Sequence, residues 1–217
     1  MTELVIFDLD GTLLDTIGDL AVSCNAVLAA RNLPQHTYED YCGFVGNGIM
    51  RLVERALPEP LRTPQTVADV RRDFVRYYTE HIDIHTRPYA GIPELLGELA
   101  ARGVKLAVAS NKFQAGTEKL VRRFFADVPF AAVLGQREGV PLKPDPAVVE
   151  EILRTPGVAR AKALFVGDSG VDMQTAAAAG IRSAGVAWGF RARAELDEAG
   201  AWRIVEAPAG IAGLIQQ

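Results

Sequence analysis

Two carboxylates, Asp8 and Asp10, stand two residues apart in "DLDGT", directly after the apolar run Leu4–Phe7. In extended chain, residues two apart point to the same face, so both side chains converge on one spot at the C-terminal mouth of a buried strand. Buried carboxylates are costly unless something pairs with them. Two unit charges about 4 Å apart interact by about 4 kcal/mol at an effective dielectric of 20. The pair therefore calls for a cation or a shared proton. Further polar groups follow other apolar runs: Ser110-Asn111 after "KLAVA", and Asp168-Ser169 after "ALFVG" with Asp172 four residues on. Lys143 in "VPLKPDPAVV" adds one basic group.

Phosphoryl transfer is the chemistry that needs this set. One carboxylate, Asp8, attacks phosphorus and becomes an aspartyl-phosphate. Asp10 protonates the departing oxygen and then takes a proton from water. A hard cation, Mg²⁺ above all, takes oxygen ligands and offsets the carboxylates' repulsion. Lys143 and Ser110-Asn111 hold the phosphoryl oxygens, with backbone N–H groups helping. Taken singly these residues have plainer explanations: turn-capping aspartates, a surface lysine, a first-turn helix residue. It is their joint placement at strand ends that favours the chemical reading.

The elements that position them alternate. Strands are predicted at 4–7, 105–109, 131–134, 163–166, 183–187 and 203–205, and helices at 92–102, 117–125, 146–154 and 173–179. Such alternation implies an α/β fold, a Rossmann-like parallel sheet with helices on both faces. Ligands bind beyond the carboxyl ends of such strands. Pro144 disfavours helical backbone at Lys143, and Asp145-Pro146 reads as an N-cap and first helical position, so Lys143 sits on a loop leading into a helix. Asp172, in a first helical turn, suits the helix dipole. The alternation breaks between the first two core strands, where helical periodicity dominates at 18–31, 49–57 and 66–81. The expected organisation is a core domain of 1–16 and 87–217 and a small all-helical domain, 17–86, over the sheet's carboxyl edge, hinged at 15–18 and 86–91.

Bulk properties narrow the function. The 217 residues allow one core plus a smaller domain. A net charge of −4 and a pI near 5.5 argue against a nucleic-acid partner. The two cysteines, Cys24 and Cys42, form no metal or disulfide framework and read as reduced thiols. No signal peptide or long apolar stretch precedes the first strand, so the expectation is a cytoplasmic protein without a membrane partner, monomer or homodimer.

Asp8/Asp10, Ser110, Lys143 and Asp168/Asp172, in that order, resemble the four motifs of the haloacid dehalogenase (HAD) superfamily, the first of which is written DxDGT. The helical insertion lies where that superfamily's C1-type cap does. The resemblance implies Asp8 as nucleophile and Asp10 as acid/base. It also implies Mg²⁺ held by Asp8, the Asp10 backbone carbonyl and Asp168, with Thr12 and Asp172 in support. Asp10 points to a phosphatase, because haloacid dehalogenases themselves lack the second aspartate. "FVGNGIMRLVERAL" and "GVAWGF" are similar to segments of phosphoglycolate phosphatases. Gly46-Asn47-Gly48 before a helix offers free N–H groups for a second anion, which suits a small phosphorylated metabolite that also bears a carboxylate. The rival readings are a phosphomutase of the β-phosphoglucomutase type, a pyrophosphatase or nucleotidase, and a non-catalytic phospho-ligand binder. The intact set of nucleophile, acid/base and metal ligands speaks against the last.

Overall fold

The computed structural model describes residues 1–154 and 157–216. The strands are β1 (Leu4–Phe7), β2 (Leu14–Asp15), β3 (Arg87–Pro88), β4 (Lys105–Phe113), β5 (Phe130–Gln136), β6 (Ala163–Gly167), β7 (Arg182–Val186) and β8 (Arg203–Val205). Six of them make one sheet in the order β5-β4-β1-β6-β7-β8, every pair parallel. All four β1 residues are fully buried, and the period of two divides them. Val5 and Phe7 enter one apolar cluster with Leu95, Leu96 and Leu99. Leu4 and Ile6 enter a second with Val149, Ile152 and Phe165. A strand covered on both faces reads as a continuous apolar run, and each such side chain contributes about 2 kcal/mol by leaving water.

Helices α1 (Ile17–Ala29), α2 (Tyr38–Phe44), α3 (Gly48–Ala56) and α4 (Pro64–His81) lie in sequence between β2 and β3. In α4, Thr63 caps the first turn, its Oγ1 accepting from the Thr66 N–H at 3.2 Å. Val67, Val70, Phe74 and Tyr78 form its buried face at helical spacing. Helices α5 (Ile92–Ala101), α6 (Gln114–Phe124), α7 (Ala147–Arg154), α8 (Gly170–Ala178), α9 (Arg193–Glu198) and α10 (Ala209–Leu214) accompany the sheet.

Several boundaries depart from the sequence expectation. Strand β4 does not stop at 109 but continues to Phe113, which pairs with Gln136 after a register shift. Ser110 and Asn111 are therefore extended chain rather than loop. Helix α8 starts at Gly170 rather than 173, because Asp172 Oδ2 accepts from the Ser169 N–H at 3.1 Å and from Ser169 Oγ at 2.7 Å, closing the first turn before the apolar residues begin. Helices α2, α9 and α10 had no periodic signal. They are six or seven residues long and bury between one and three side chains each. Where hinges are predicted, β2 and β3 pair as a short antiparallel ribbon, Leu14 with Pro88 and Asp15 with Arg87. Buried Asp19 adds a clasp, accepting from the N–H groups of His85 and Thr86 at 2.8 Å and from Thr86 Oγ1 at 2.7 Å.

Candidate active site

Strand β1 lies between β4 and β6, so the chain leaves it in both directions and a crevice opens beyond the strands' carboxyl ends. Asp8 and Asp10 follow β1, Ser110 lies near the end of β4, and Asp168 follows β6. All four line one cavity of about 50 Å³, which Leu20 of α1, Ile49 and Leu52 of α3, and Tyr78 of α4 help to enclose.

Lys143 ties the strand ends together. Its side chain is only 2% exposed, and Nζ lies 2.9 Å from Asp8 Oδ1 and 2.7 Å from Asp172 Oδ1; it also donates to the Ala109 carbonyl at 2.9 Å. Burial alone would push its pKa down, but the Asp172 and Asp8 carboxylates more than offset this and the net shift is upward. Asp8 shows the reverse balance. Burial dominates, Lys143 pulls down, Asp172 and Asp10 push up, and the carboxyl rises to about 7. Oδ1 of Asp8 accepts from the Leu9 N–H at 2.7 Å, whereas Oδ2 has no hydrogen bond among the described residues.

Asp168 sits against a wall with no room for a side chain. A Cβ on Gly189 would fall 2.2 Å from Asp168 Cβ and 2.5 Å from the Gly11 carbonyl, and one on Gly11 2.3 Å from Asp168 Oδ2. This accounts for the second glycine of "GVAWGF", and Gly11 also takes a φ of +82° that disfavours other residues. Asp168 Oδ2 accepts from the Phe190 N–H at 2.8 Å, and Thr12 Oγ1 is 3.5 Å from Oδ1. Burial, then Asp172 and Asp8, drive its pKa well up against the Phe190 N–H and Arg191.

Asp8, Asp168 and Asp172, all buried, offer carboxylate oxygens within 4.8 Å of one another. Both oxygens of Asp172 are spent on Lys143 and Ser169, which leaves Asp8 and Asp168 with acceptor capacity to spare. Two carboxyls pushed upward in pKa beside each other, with spare oxygens, fit a hard divalent cation.

The remaining residues divide. Asp10 accepts from Thr16 Oγ1 at 2.7 Å and from Lys112 Nζ at 2.9 and 3.1 Å. Ser110 Oγ accepts from the Lys112 N–H at 3.2 Å. The side-chain amide of Asn111 is spoken for, donating to the Gly46 and Lys143 carbonyls at 2.9 and 3.1 Å and accepting from the Lys143 N–H at 2.9 Å. It fastens two loops together, one through the Gly46 carbonyl and one through Lys143. Gly46 and Gly48 line the cavity but Asn47 does not; its Oδ1 accepts from Arg55 at 2.9 Å.

Lys112, Tyr78 and Arg191 line the cavity without having been singled out in the sequence. Lys112 was legible: it is two residues past Ser110, on the same face of a strand. Arg191 donates to the Cys42 carbonyl at 2.5 Å and the Val45 carbonyl at 2.7 Å, clasping the loop after α2; neither contact is readable from local pattern.

The model of the haloacid dehalogenase-like hydrolases matches residues 5–186. The chain belongs to this family. It is 36% identical over 192 residues to the phosphoglycolate phosphatase of Mesorhizobium japonicum, covering 88% of this chain and 85% of that one. A solved structure from Lactobacillus delbrueckii subsp. bulgaricus superposes with a TM-score of 0.93 at 33% identity and 99% coverage of both chains. CbbY from Rhodobacter sphaeroides, solved with xylulose-1,5-bisphosphate, superposes with a TM-score of 0.80 at 25% identity and 96% coverage of both. The chain is thus a phosphatase-like hydrolase. No helix among the described residues is long and apolar enough to cross a membrane.

Proposed function

We propose that this chain hydrolyses the phosphate monoester of a small carboxylate-bearing alcohol, phosphoglycolate first among them, through an aspartyl-phosphate on Asp8. The observation that carries the reading is the convergence of Asp8, Asp10, Ser110 and Asp168 on one cavity of about 50 Å³, room for a leaving group of a few heavy atoms. The similarity to the Mesorhizobium japonicum phosphoglycolate phosphatase supports the same substrate.

In this reading Asp8 attacks phosphorus with its unspent oxygen while Lys143 and the Ser110 hydroxyl donate to the phosphoryl oxygens. The bond from phosphorus to the ester oxygen breaks, and Asp10 delivers the proton that the departing alcohol needs. Asp10 then takes a proton from the water that attacks the aspartyl-phosphate, releasing inorganic phosphate and restoring Asp8. Asp8, Asp168 and the Asp10 backbone carbonyl would hold a divalent cation, taken as Mg²⁺, which would offset the charge on the carboxylates and the phosphoryl group. Asp172 keeps Lys143 in place, and Thr12 supports Asp168. Residues 17–86 act as a cap on the core of 1–16 and 87–217, shielding the reaction from bulk water.

The xylulose-1,5-bisphosphate bound to CbbY favours a second reading, a sugar-phosphate phosphatase. A panel of 2-phosphoglycolate, pentose and hexose phosphates, xylulose bisphosphate, pyrophosphate and nucleotides with Mg²⁺ separates the two. At least tenfold higher kcat/KM on 2-phosphoglycolate, with inorganic phosphate as product, is expected. Comparable turnover of several sugar phosphates with phosphoglycolate poor overturns the assignment, and isomerised sugar phosphate in place of free phosphate identifies a mutase.

A further inference from the structure

The consecutive backbone carbonyls of Cys42, Gly43, Phe44, Val45 and Gly46 end α2 and run into the turn before α3. The last carbonyls of a helix have no partner within it, and here each finds a side-chain donor. Arg55, on α3 of the same helical segment, donates to Gly43 and Phe44 at 3.4 and 3.0 Å. The other three are met from the sheet's side. Arg191, between β7 and α9, donates to Cys42 and Val45 at 2.5 and 2.7 Å, and Asn111 of β4 donates to Gly46 at 2.9 Å. Cations near a helix C-terminus also suit its dipole. Val45 and Gly46 line the cavity, as do Asn111 and Arg191 themselves. Both anchors are tied to the reacting groups. The Phe190 N–H, next along the chain from Arg191, donates to Asp168, and Asn111 bonds the Lys143 backbone in both directions.

Resting on the phosphatase and cap reading above, we infer that Arg191 is a positioning residue: with Asn111 it latches residues 42–46 over the cavity and so limits the size of the leaving group. The Arg55 bonds lie within residues 17–86 and survive any movement of that segment as a body. The bonds of Arg191 and Asn111 exist only while the segment rests against the sheet's edge. They are the contacts that closure gains and opening loses. Both terminal nitrogens of Arg191 are engaged on carbonyls, a use that needs the guanidinium fork and that the single ammonium of a lysine does not reproduce. With the latch made, a cavity of about 50 Å³ takes a leaving group of a few heavy atoms. A bulky one must hold the segment away from the sheet and forgo the latch.

The test compares kcat/KM on 2-phosphoglycolate and on 4-carboxybenzyl phosphate, which carries the same carboxylate across a benzene ring, for the wild type, Arg191→Met and Arg191→Lys. Solution X-ray scattering gives the radius of gyration of each protein without substrate. The wild type prefers 2-phosphoglycolate by more than tenfold. In Arg191→Met that ratio falls at least tenfold, about 1.4 kcal/mol and the order of a hydrogen bond from a charged donor, and the radius of gyration rises. Arg191→Lys keeps the charge but not the fork, so its ratio stays at least threefold below wild type; it decides the matter where Arg191→Met fails to fold. Losses in Arg191→Met that are equal for the two esters overturn the size limit, since they mark a residue that meets the shared carboxylate or serves only the chemistry. A wild-type ratio in Arg191→Lys overturns the latch, because charge alone then suffices, and so does an unchanged radius of gyration in Arg191→Met. A wild type without preference between the esters overturns the size limit alone. One that releases phosphate from neither overturns the phosphatase reading, and the radius of gyration then decides the latch by itself.

Discussion

Asp8→Asn separates what the carboxylate does from what it costs. Asp8 is 7% exposed, and burial above all, opposed by Lys143 and reinforced by Asp172 and Asp10, lifts its pKa from an ordinary 3.8 to about 7. Between those values the folded protein keeps a proton that the unfolded chain has lost. Wild-type stability contributed by this group is therefore fully present below about pH 4 and is lost as pH rises through 7. At about 1.4 kcal/mol for each pH unit, the cost above pH 7 is roughly 4 kcal/mol. Asparagine has the same shape, keeps an oxygen for the Leu9 N–H and carries no charge at any pH, while Lys143 retains Asp172 as its partner. The metal-free variant is then more stable than wild type by about 3 to 4 kcal/mol at pH 8 and matches it near pH 4. Urea unfolding in EDTA across that range reads the difference, with titrations of groups remote from Asp8 cancelling between the two proteins. Phosphatase activity in Mg²⁺ is lost at the same time, because the amide cannot serve as nucleophile. A variant no more stable than wild type at pH 8, a stability difference that ignores pH, or full retained activity would each refute the reasoning.

Lys143→Met removes the cation shared by Asp8 and Asp172 in a site where its side chain is 2% exposed. Breaking a buried pair from one side costs about 3 to 5 kcal/mol, so denaturant unfolding at pH 8 shows a loss of that size, and a loss under about 1 kcal/mol contradicts the network. Gly189→Ala puts a methyl 2.2 Å from Asp168 Cβ and 2.5 Å from the Gly11 carbonyl, displacing Asp168; the Mg²⁺ concentration for half-maximal activity rises at least tenfold, and an unchanged Mg²⁺ titration rules out the steric account.

Local pattern carried the fold class and most of the charged groups buried at the strand ends. Leu4–Phe7 announces a doubly covered strand because four consecutive apolar residues satisfy both faces of a sheet. Asp8, Asp10, Asp168, Asp172 and Lys143 announce themselves because buried ionisable groups at strand ends are expensive and few. These signals sit within ten or so residues of chain, and strand-to-helix alternation then sets their layer. Short helices such as α9 went unseen for the opposite reason: with Leu196 as its buried residue, periodicity has nothing to repeat.

The tertiary structure alone decided how distant segments share their polar groups. Asn111 has the composition of a phosphate contact, but its amide is spent on Gly46 and Lys143, 65 and 32 residues away. Lys112 looks like a solvated lysine at the end of a strand until Asp10, 102 residues earlier, is found against it. The sequence by itself determined which groups are costly to bury. Which of them compensate one another, and which are left waiting for a ligand, depends on directions and distances that exist only once strands β1, β4 and β6 stand side by side.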